Sequence, residues 1–440
     1  MNEKDWTRRF VSWVRDAAPY IHAFRGRTFV IGIGGEMLGG PGATSFAHDC
    51  NLLAALGIRL VLVHGARPQI EAALKQRRMK PLYHRGLRVT DAQALECVKS
   101  AIGVTRFEIE ALLSQGLPNT PMAGAWMRVT GGNFITAKPV GVVDGVDFQY
   151  TGAVRKVIAE EISADLDQHN VVLISPLGVS PSGEIFNLAM EEVAEAVAVA
   201  LKAEKLIYLC DVPGLTGQGG EVLKAITADE VERILASNRK LSEDLALYLP
   251  LAARACRNDV GRVHLIDQAE DGAMLLEFFT REGIGTMITR EALAHIREAT
   301  PEDVGAILGL IAPLEADGTL VRRPRELLEM EVGRFSLVDN DGVIMGCAAL
   351  YPFRDEKAAE LACLAVMPAY RRVGFGERLL RHIEAQARQV GLKRLFVLTT
   401  RTAHWFIERG FVETGLDALP RRKRELYNYQ RRSKVLAKAL

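Results

Sequence analysis

Residues 360–387, ELACLAVMPAYRRVGFGERLLRHIEAQA, carry a short apolar strand straight into a basic, glycine-rich turn and then an amphipathic helix. Arg371, Gly374 and Gly376 make the spacing R-x-x-G-x-G. Positions without a side chain let backbone N–H groups converge on phosphate oxygens, and the following helix adds the positive end of its dipole. Leu379, Leu380, Ile383 and Ala387 recur at helical spacing and supply the buried face. A G-x-G pair also serves plain tight turns. The order strand, loop, helix is what points to a pyrophosphate cradle.

Here the chain resembles the acyl-CoA-binding core of the GNAT acetyltransferases. The resemblance implies acetyl-CoA as ligand, held by Leu364, Ala365 and Val366 on the strand and by Arg371, Arg372, Val373, Gly374, Phe375, Gly376 and Glu377 on the turn. It continues through RLFVLTTRTAHWFIERGF, Arg394 to Phe411, a strand and a helix ending at Gly410. Many family members place a tyrosine four residues before that glycine as general acid. This chain has Phe406. A phenyl ring donates no proton, so the leaving thiolate must be protonated by another group or by solvent.

A chain of 440 residues, 48% hydrophobic, can bury a large core, and its length suggests roughly two or three domains. The formal net charge of +1 argues against a chain-wide nucleic-acid or membrane field. Six cysteines without a CxxC pair or cysteine–histidine spacing imply no metal and a reducing cytoplasm. MNEKDWTRRF has no apolar signal core, and no uncharged apolar run of about 18 residues occurs. The expectation is a soluble, unexported protein. From Arg27 to Ile288 the runs FVIGI, RLVLVHG, NVVLISPLG, KLIYLCD and RVHLID alternate with helical segments such as MEEVAEAVAVALKAE. That alternation predicts α/β layers around a largely parallel sheet. We place a first domain at 1–287, a linker at 288–295 and a second domain at 296–440. The second opens with IREATPEDVGAILGLI as strand, proline-started turn and helix.

The first domain resembles the amino-acid kinase family, most closely the N-acetylglutamate kinases, which implies an αβα sandwich. VIGIGGEML, VLVHGARPQI, GLRVTDA, YLCDVPGL and RVHLID stand in family order. Two lysines of working kinases are replaced, one by Gly32 and one, after Pro250, by Leu251. The second-strand Gly-Gly is broken to Gly65, Ala66, Arg67. Phosphoryl transfer needs cations over the γ-phosphate oxygens, so no kinase activity is expected. In arginine-inhibited kinases an effector pocket adjoins an N-terminal helix. The resemblance carries that pocket onto Tyr20, Lys205, His264, Glu277, Gly283 and Gly285. Glu277 can accept from a guanidinium and Lys205 can meet a carboxylate. The plain alternatives are Tyr20 packing its own helix and Lys205 ending a helix in solvent.

A kinase-like domain fused to a smaller GNAT α/β domain is the layout of the bacterial N-acetylglutamate synthase family, which the chain resembles over essentially all 440 residues, including LPRRKRELYNYQRRSKVL. The resemblance implies acetyl transfer from acetyl-CoA to the α-amino group of L-glutamate, opening arginine biosynthesis under L-arginine inhibition. Glu360 matches the proposed base, and a period of two puts it on one face with Leu364, whose N–H would hold the thioester oxygen. Arg323, Cys363, Lys423, Arg431 and Ser433 match substrate-contacting positions, with Arg322 and Arg432 as adjacent alternatives. Thr399 or Ser433 would assist the departing thiolate. Between Leu419 and Leu436 seven basic residues face one acidic residue, which would equally suit RNA or a membrane. The near-neutral chain favours the substrate, so neither a nucleic-acid nor a membrane partner is expected. The competing readings are a GNAT enzyme acting on another small amine or on protein lysines, an active kinase with an appended acetyltransferase, and an enzyme-free arginine sensor. A helix at residues 3–20 with Trp6, Phe10, Trp13 and Val14 on one face resembles those that interlace between subunits, implying a homo-hexamer; the plain alternative is that this face packs on its own domain.

Overall fold

Strands that are apolar on both faces decide the architecture of the first part of the chain. The computed structural model describes all residues except 1–2, 41, 218, 238, 281–282, 293 and 372–373. The expected roles of Arg372, Val373 and the Trp6 side chain lie outside the described residues. The chain divides into a unit Met1–Glu291 and a unit Ala292–Leu440. In the first, helix α1 (Glu3–Phe24) precedes β1 (Thr28–Ile33), α2 (Gly42–Ala55), β2 (Arg59–His64), β3 (Val129–Thr130), β4 (Val171–Ile174) and α3 (Met190–Ala200). Then come β5 (Lys205–Cys210), β6 (Ala225–Thr227), α4 (Glu243–Arg257), β7 (Arg262–Asp267), α5 (Ala273–Phe279) and β8 (Thr286–Thr289).

These strands form one sheet in the order β6-β8-β7-β5-β1-β2-β4-β3. All pairs are parallel except β7 with β8. Val30, Val63, Leu206 and Tyr208 face a core completed by α3 and α4. Phe29, Ile31, Leu62 and Ile207 face a second core completed by α1, α2 and α5. A sheet covered on both sides has no solvent face to alternate toward, so its strands read as continuous apolar runs. The result is the expected αβα sandwich, with a separate four-stranded sheet built from Ile135–Pro139, Gly152–Val157, Leu177–Val179 and Ile185–Asn187.

The second unit contains β9 (Ala294–Glu298), α6 (Val304–Ala316), β10 (Phe335–Asn340), β11 (Val343–Phe353), β12 (Ala358–Val366) and α7 (Phe375–Gln389). It ends with β13 (Arg394–Thr399), β14 (Val412–Thr414), α8 (Arg421–Glu425) and β15 (Lys434–Ala439). Its sheet runs β9-β10-β11-β12-β13-β15-β14, antiparallel except for β12 with β13. The segment between the two sheets is shorter than the 288–295 read from glycine and charge punctuation. Ile288 pairs with Ile226 and Val263 in the first sheet, and Ala294 pairs with Asn340 in the second, so only 290–293 separate the strands. Strand pairing is non-local and leaves no local mark at its ends.

Two irregularities in the second sheet set the shape of β12. This strand pairs with β13 only from Ala358–Arg394 to Glu360–Phe396, although β12 continues to Val366 and β13 to Thr399. The two strands therefore part company after Glu360. In addition, Cys363 has a left-handed φ of +52°, and the β11–β12 register slips between Cys347 and Ala349. Before this bulge Ala359 and Leu361 pack with α7; after it Leu364 and Val366 do, while Cys363 and Ala365 turn to the core with α6. The extra residue shifts the period of two by one. Glu360 is therefore on the face opposite Leu364, which corrects the sequence expectation, and it is the third residue of its strand rather than the first.

All six cysteines are free and buried. No helix among the described residues is long and apolar enough to cross a membrane.

Candidate active site

Beyond Glu360 the backbone of β12 has no strand partner on the β13 side. Such N–H and C=O groups call for an extended, amide-bearing partner. The strand leads to Gly374, which caps α7 with φ of +89° and has nothing within 4 Å of where a Cβ would stand. Glycine is required there by the backbone rather than by space. Phe375, Gly376 and Glu377 open α7, whose first N–H groups have no partner within the helix. A Cβ on Gly376 would lie 3.3 Å from the Trp405 ring, so the chain passes close to that indole. The Glu377 carboxylate is held by Arg381 at 2.5 Å and Arg409 at 3.7 Å. Its amide, not its side chain, is the group suited to an anion. Arg371 is exposed at the turn.

On the opposite face, Glu360 is 7% exposed and its Oε2 lies 2.6 Å from Lys423 Nζ on α8. Cys363 shares that face. Burial pushes its thiol up to about 11, with the neighbouring Arg323 guanidinium pulling the other way. It stays protonated near neutrality and is a packing residue rather than a nucleophile. Arg323 is placed by its own amide, which donates to Glu315 Oε1 at 2.9 Å, and its guanidinium lies 6.0 Å from the Tyr351 ring. Arg431 Nη2 donates to the carbonyls of Thr319 at 2.5 Å and Gly318 at 3.2 Å. Burial and the Arg323 charge push the Arg431 pKa down, and its buried Nε has no partner among the described residues.

The structure thus gathers Glu360, Cys363, Arg323 and Lys423, with Arg431 beside Arg323. Ser433 is buried, and its carbonyl accepts from Tyr427 Oη at 2.7 Å. Thr399 is engaged elsewhere: its Oγ1 accepts from Thr402 N–H at 3.0 Å and meets Thr402 Oγ1 at 2.8 Å, closing the turn after β13. Phe406 plugs the core edge-on to Trp405 and Phe411. Tyr351 escaped the sequence reading. It pairs across β11–β12 with Glu360, and its hydroxyl donates to Glu331 Oε2 at 2.8 Å. No motif marks Tyr351 or Glu331, because strand pairing brings the first to the site and a tertiary hydrogen bond the second.

In the first unit Lys205, His264 and Glu277 form a buried chain. Lys205 Nζ lies 3.0 Å from His264 Nε2, and His264 Nδ1 lies 2.7 Å from Glu277 Oε1. Glu277 Oε2 accepts from the amides of Ile284 at 2.7 Å and Gly285 at 2.8 Å. Burial, then the Lys205 charge, lowers the His264 pKa to about 4. Burial opposes the Glu277 carboxylate, yet the hydrogen bonds from His264 and the two amides hold it below its usual value. A Cβ on Gly283 would come within 2.5 Å of Glu277 Oε2, and one on Gly285 within 2.2 Å of the Leu265 carbonyl, so both glycines let the loop approach. Lys205 starts β5 and is 2% exposed, with the Phe24 ring 4.8 Å away. It is no solvated helix end. Tyr20 on α1 is partly buried against the same core.

The kinase-like pocket, a cavity of about 170 Å³, is lined by Gly34, Gly35, Gly65, Arg67 and Arg88 among others. Gly32 lies outside that lining: a Cβ there would meet Met190 Sδ and Tyr208 Cδ1, each at 3.0 Å. Met190 and Tyr208 occupy the space a lysine stem would need. Leu251 is buried in α4.

Comparison with known proteins agrees with this layout. Residues 27–267 match the amino acid kinase family and residues 311–411 the acetyltransferase (GNAT) family. The chain is 53% identical over 433 residues to the amino-acid acetyltransferase of Ralstonia nicotianae, covering 98% of this chain and 96% of that one. It is 53% identical over 434 residues to the amino-acid acetyltransferase of Azotobacter vinelandii, covering 98% and 100%. Among solved structures it is similar to N-acetylglutamate synthase from Neisseria gonorrhoeae complexed with coenzyme A and L-arginine, with a TM-score of 0.90, 40% identity, and 98% and 99% coverage. The same organism's enzyme complexed with coenzyme A and N-acetyl-glutamate matches with a TM-score of 0.63 at 41% identity, again covering 98% and 99%.

Proposed function

This chain belongs to the amino-acid acetyltransferase family, an amino-acid kinase unit followed by a GNAT unit that uses acetyl-CoA, and on that premise we propose that its acceptor is L-glutamate and its inhibitor L-arginine. One observation carries the acceptor assignment. Three cations, Arg323, Arg431 and Lys423, surround the face of β12 that bears Glu360 and Cys363. Glutamate brings two carboxylates, and guanidinium groups recognise carboxylates with paired, charge-assisted hydrogen bonds. The related Neisseria enzyme has been solved with N-acetyl-glutamate, the product of such a transfer.

In the proposed reaction the unpaired edge of β12 receives the amide-rich arm of acetyl-CoA, and the amides of Gly374, Phe375, Gly376 and Glu377 receive its pyrophosphate. Leu364 N–H holds the thioester oxygen. Glu360 takes a proton from the substrate ammonium, directly or through one water. The amine nitrogen then bonds to the thioester carbon, the C–S bond breaks, and the coenzyme thiolate takes a proton. Of the two candidate hydroxyls for that step, Ser433 is the better placed, because Thr399 is tied into its turn.

The Lys205–His264–Glu277 chain supports the regulatory half. Glu277 offers an acceptor to a guanidinium and Lys205 a partner to a carboxylate, and the related Neisseria enzyme has been solved with L-arginine. The first unit transfers no phosphoryl group. The enzyme would open arginine biosynthesis in the cytoplasm and close a feedback loop on it. Phe10, Trp13 and Val14 are 52%, 41% and 42% exposed on α1, an apolar face suited to pairing between subunits of a hexamer. The test is thiol release from acetyl-CoA across a panel of amino acids, with and without arginine. Turnover should require glutamate and fall with arginine; equal rates with neutral amino acids would refute the acceptor assignment.

A further inference from the structure

We infer that Lys423 is a lock on the Glu360 base, released by the side-chain or α-carboxylate of the acceptor. The inference rests on glutamate being the acceptor and deepens that reading. Lys423 Nζ lies 2.6 Å from Glu360 Oε2, and the side chains are 26% and 9% exposed. The ammonium covers one of the two carboxylate oxygens that could receive a proton. The carboxylate is nearly buried, so while the lysine stays in place neither water nor an incoming amine reaches Oε2.

Lys423 is also the cation free to leave. Its flexible stem carries a point charge that can turn to a new partner, whereas a guanidinium is a rigid fork. Arg431 is anchored to the Gly318 and Thr319 carbonyls. Lys423 stands on a short helix, Arg421–Glu425, that begins after Pro420, and its ion pair to Glu360 is the one it makes among the described residues. An acceptor carboxylate arriving between Arg323, Arg431 and Lys423 competes for that ammonium. Glu360 is uncovered at the moment an acceptor is bound.

The consequence is selectivity against water as well as against other amines. With the lock closed, acetyl-CoA hydrolysis is suppressed. With it open and no amine present, a water gives a proton to Glu360 and its oxygen bonds to the thioester carbon. The C–S bond then breaks and the coenzyme thiolate takes the proton, leaving acetate and free coenzyme.

The experiment measures thiol release from acetyl-CoA without any amino acid. Glutarate, a dicarboxylate with no amine, should raise release by the wild-type protein about tenfold, a fraction of the ~10²–10⁴-fold that a positioned base supplies. Lys423→Met should raise the basal rate by a similar factor and make it insensitive to glutarate. Adding Glu360→Gln should abolish both increases. A gain of hydrolysis is something that mere structural damage would not produce. A Lys423→Met basal rate no higher than wild type, or a wild-type rate that glutarate leaves unchanged, overturns the lock. If glutamate itself fails as an acceptor, the acceptor assignment falls, while the basal rate of Lys423→Met still decides the lock.

Discussion

Each unit sets glycines where a strand meets a helix, and the two sets are surrounded very differently. In the first, Gly34 and Gly35 line a pocket of about 170 Å³, and Gly32 is hemmed in by Met190 and Tyr208 at 3.0 Å from a would-be Cβ. In the second, Gly374 opens onto space and the unpaired edge of β12 leads up to it. The carboxylates repeat the contrast. Glu277 is held by His264 and two amides, whereas Glu360 is held by one flexible lysine. The same turn geometry can stand among quite different side chains, so function is read from the side chains around a site.

The sharpest way to break this contrast is Glu360→Gln. It should lower kcat by about 10²-fold or more, the range of a lost general base, with the KM for acetyl-CoA nearly unchanged. Steady-state kinetics with an unaltered kcat would remove Glu360 from the chemical step. Next, Arg323→Met should raise the KM for glutamate by about tenfold or more, since a hydrogen bond to a charged group is worth ~1.5–3 kcal/mol. An equal loss in kcat alone would place Arg323 outside acceptor binding.

On the first unit, Glu277→Gln should weaken arginine inhibition by about tenfold, because a neutral amide is a poorer partner for a guanidinium. Dose–response curves for arginine read this directly, and an unshifted midpoint would detach the cluster from regulation. Gly32→Lys asks whether a lysine at this position would give the first unit a kinase reaction. The expected answer is no phosphorylation of acetylglutamate and a melting temperature lowered by several degrees, since overpacking costs ~1–3 kcal/mol.

The smallest effect near neutrality is the pH dependence of stability. Burial lowers His64 and His264 to about 4 from 6.5, so the unfolded chain binds more protons than the fold between those values. Stability conferred by each neutral imidazole is present above pH 6.5 and is lost as the pH falls toward 4, with a slope approaching ~1.4 kcal/mol per pH unit per histidine. Urea midpoints measured from pH 7 downward should track this slope, and His264→Gln should reduce it by about half. A slope unaltered in that variant would show that His264 is not buried neutral.

Much of the second unit was legible because its signals are local. Leu379, Leu380, Ile383 and Ala387 all lie at 2% exposure or less on α7, as their spacing requires. Gly374 needs a positive φ whatever surrounds it. The face of Glu360 was not legible, because the bulge at Cys363 arises from how β12 pairs with β11. Thr399 looked available at the end of an apolar strand, and only the folded turn reveals its hydroxyl bound to Thr402.

By itself the order of residues determined the two α/β units, the parallel first sheet, the glycine turn before α7, and the absence of a lysine at Gly32 and Leu251. Each of these stems from a side chain's size, charge or backbone preference at its own position or one helical turn away. The tertiary structure alone decided that Tyr351 stands opposite Glu360, that Lys423 covers it, and that Lys205, His264 and Glu277 share one buried chain. Those contacts join residues far apart in sequence, and their geometry is set by strand register and core packing, which no local pattern encodes.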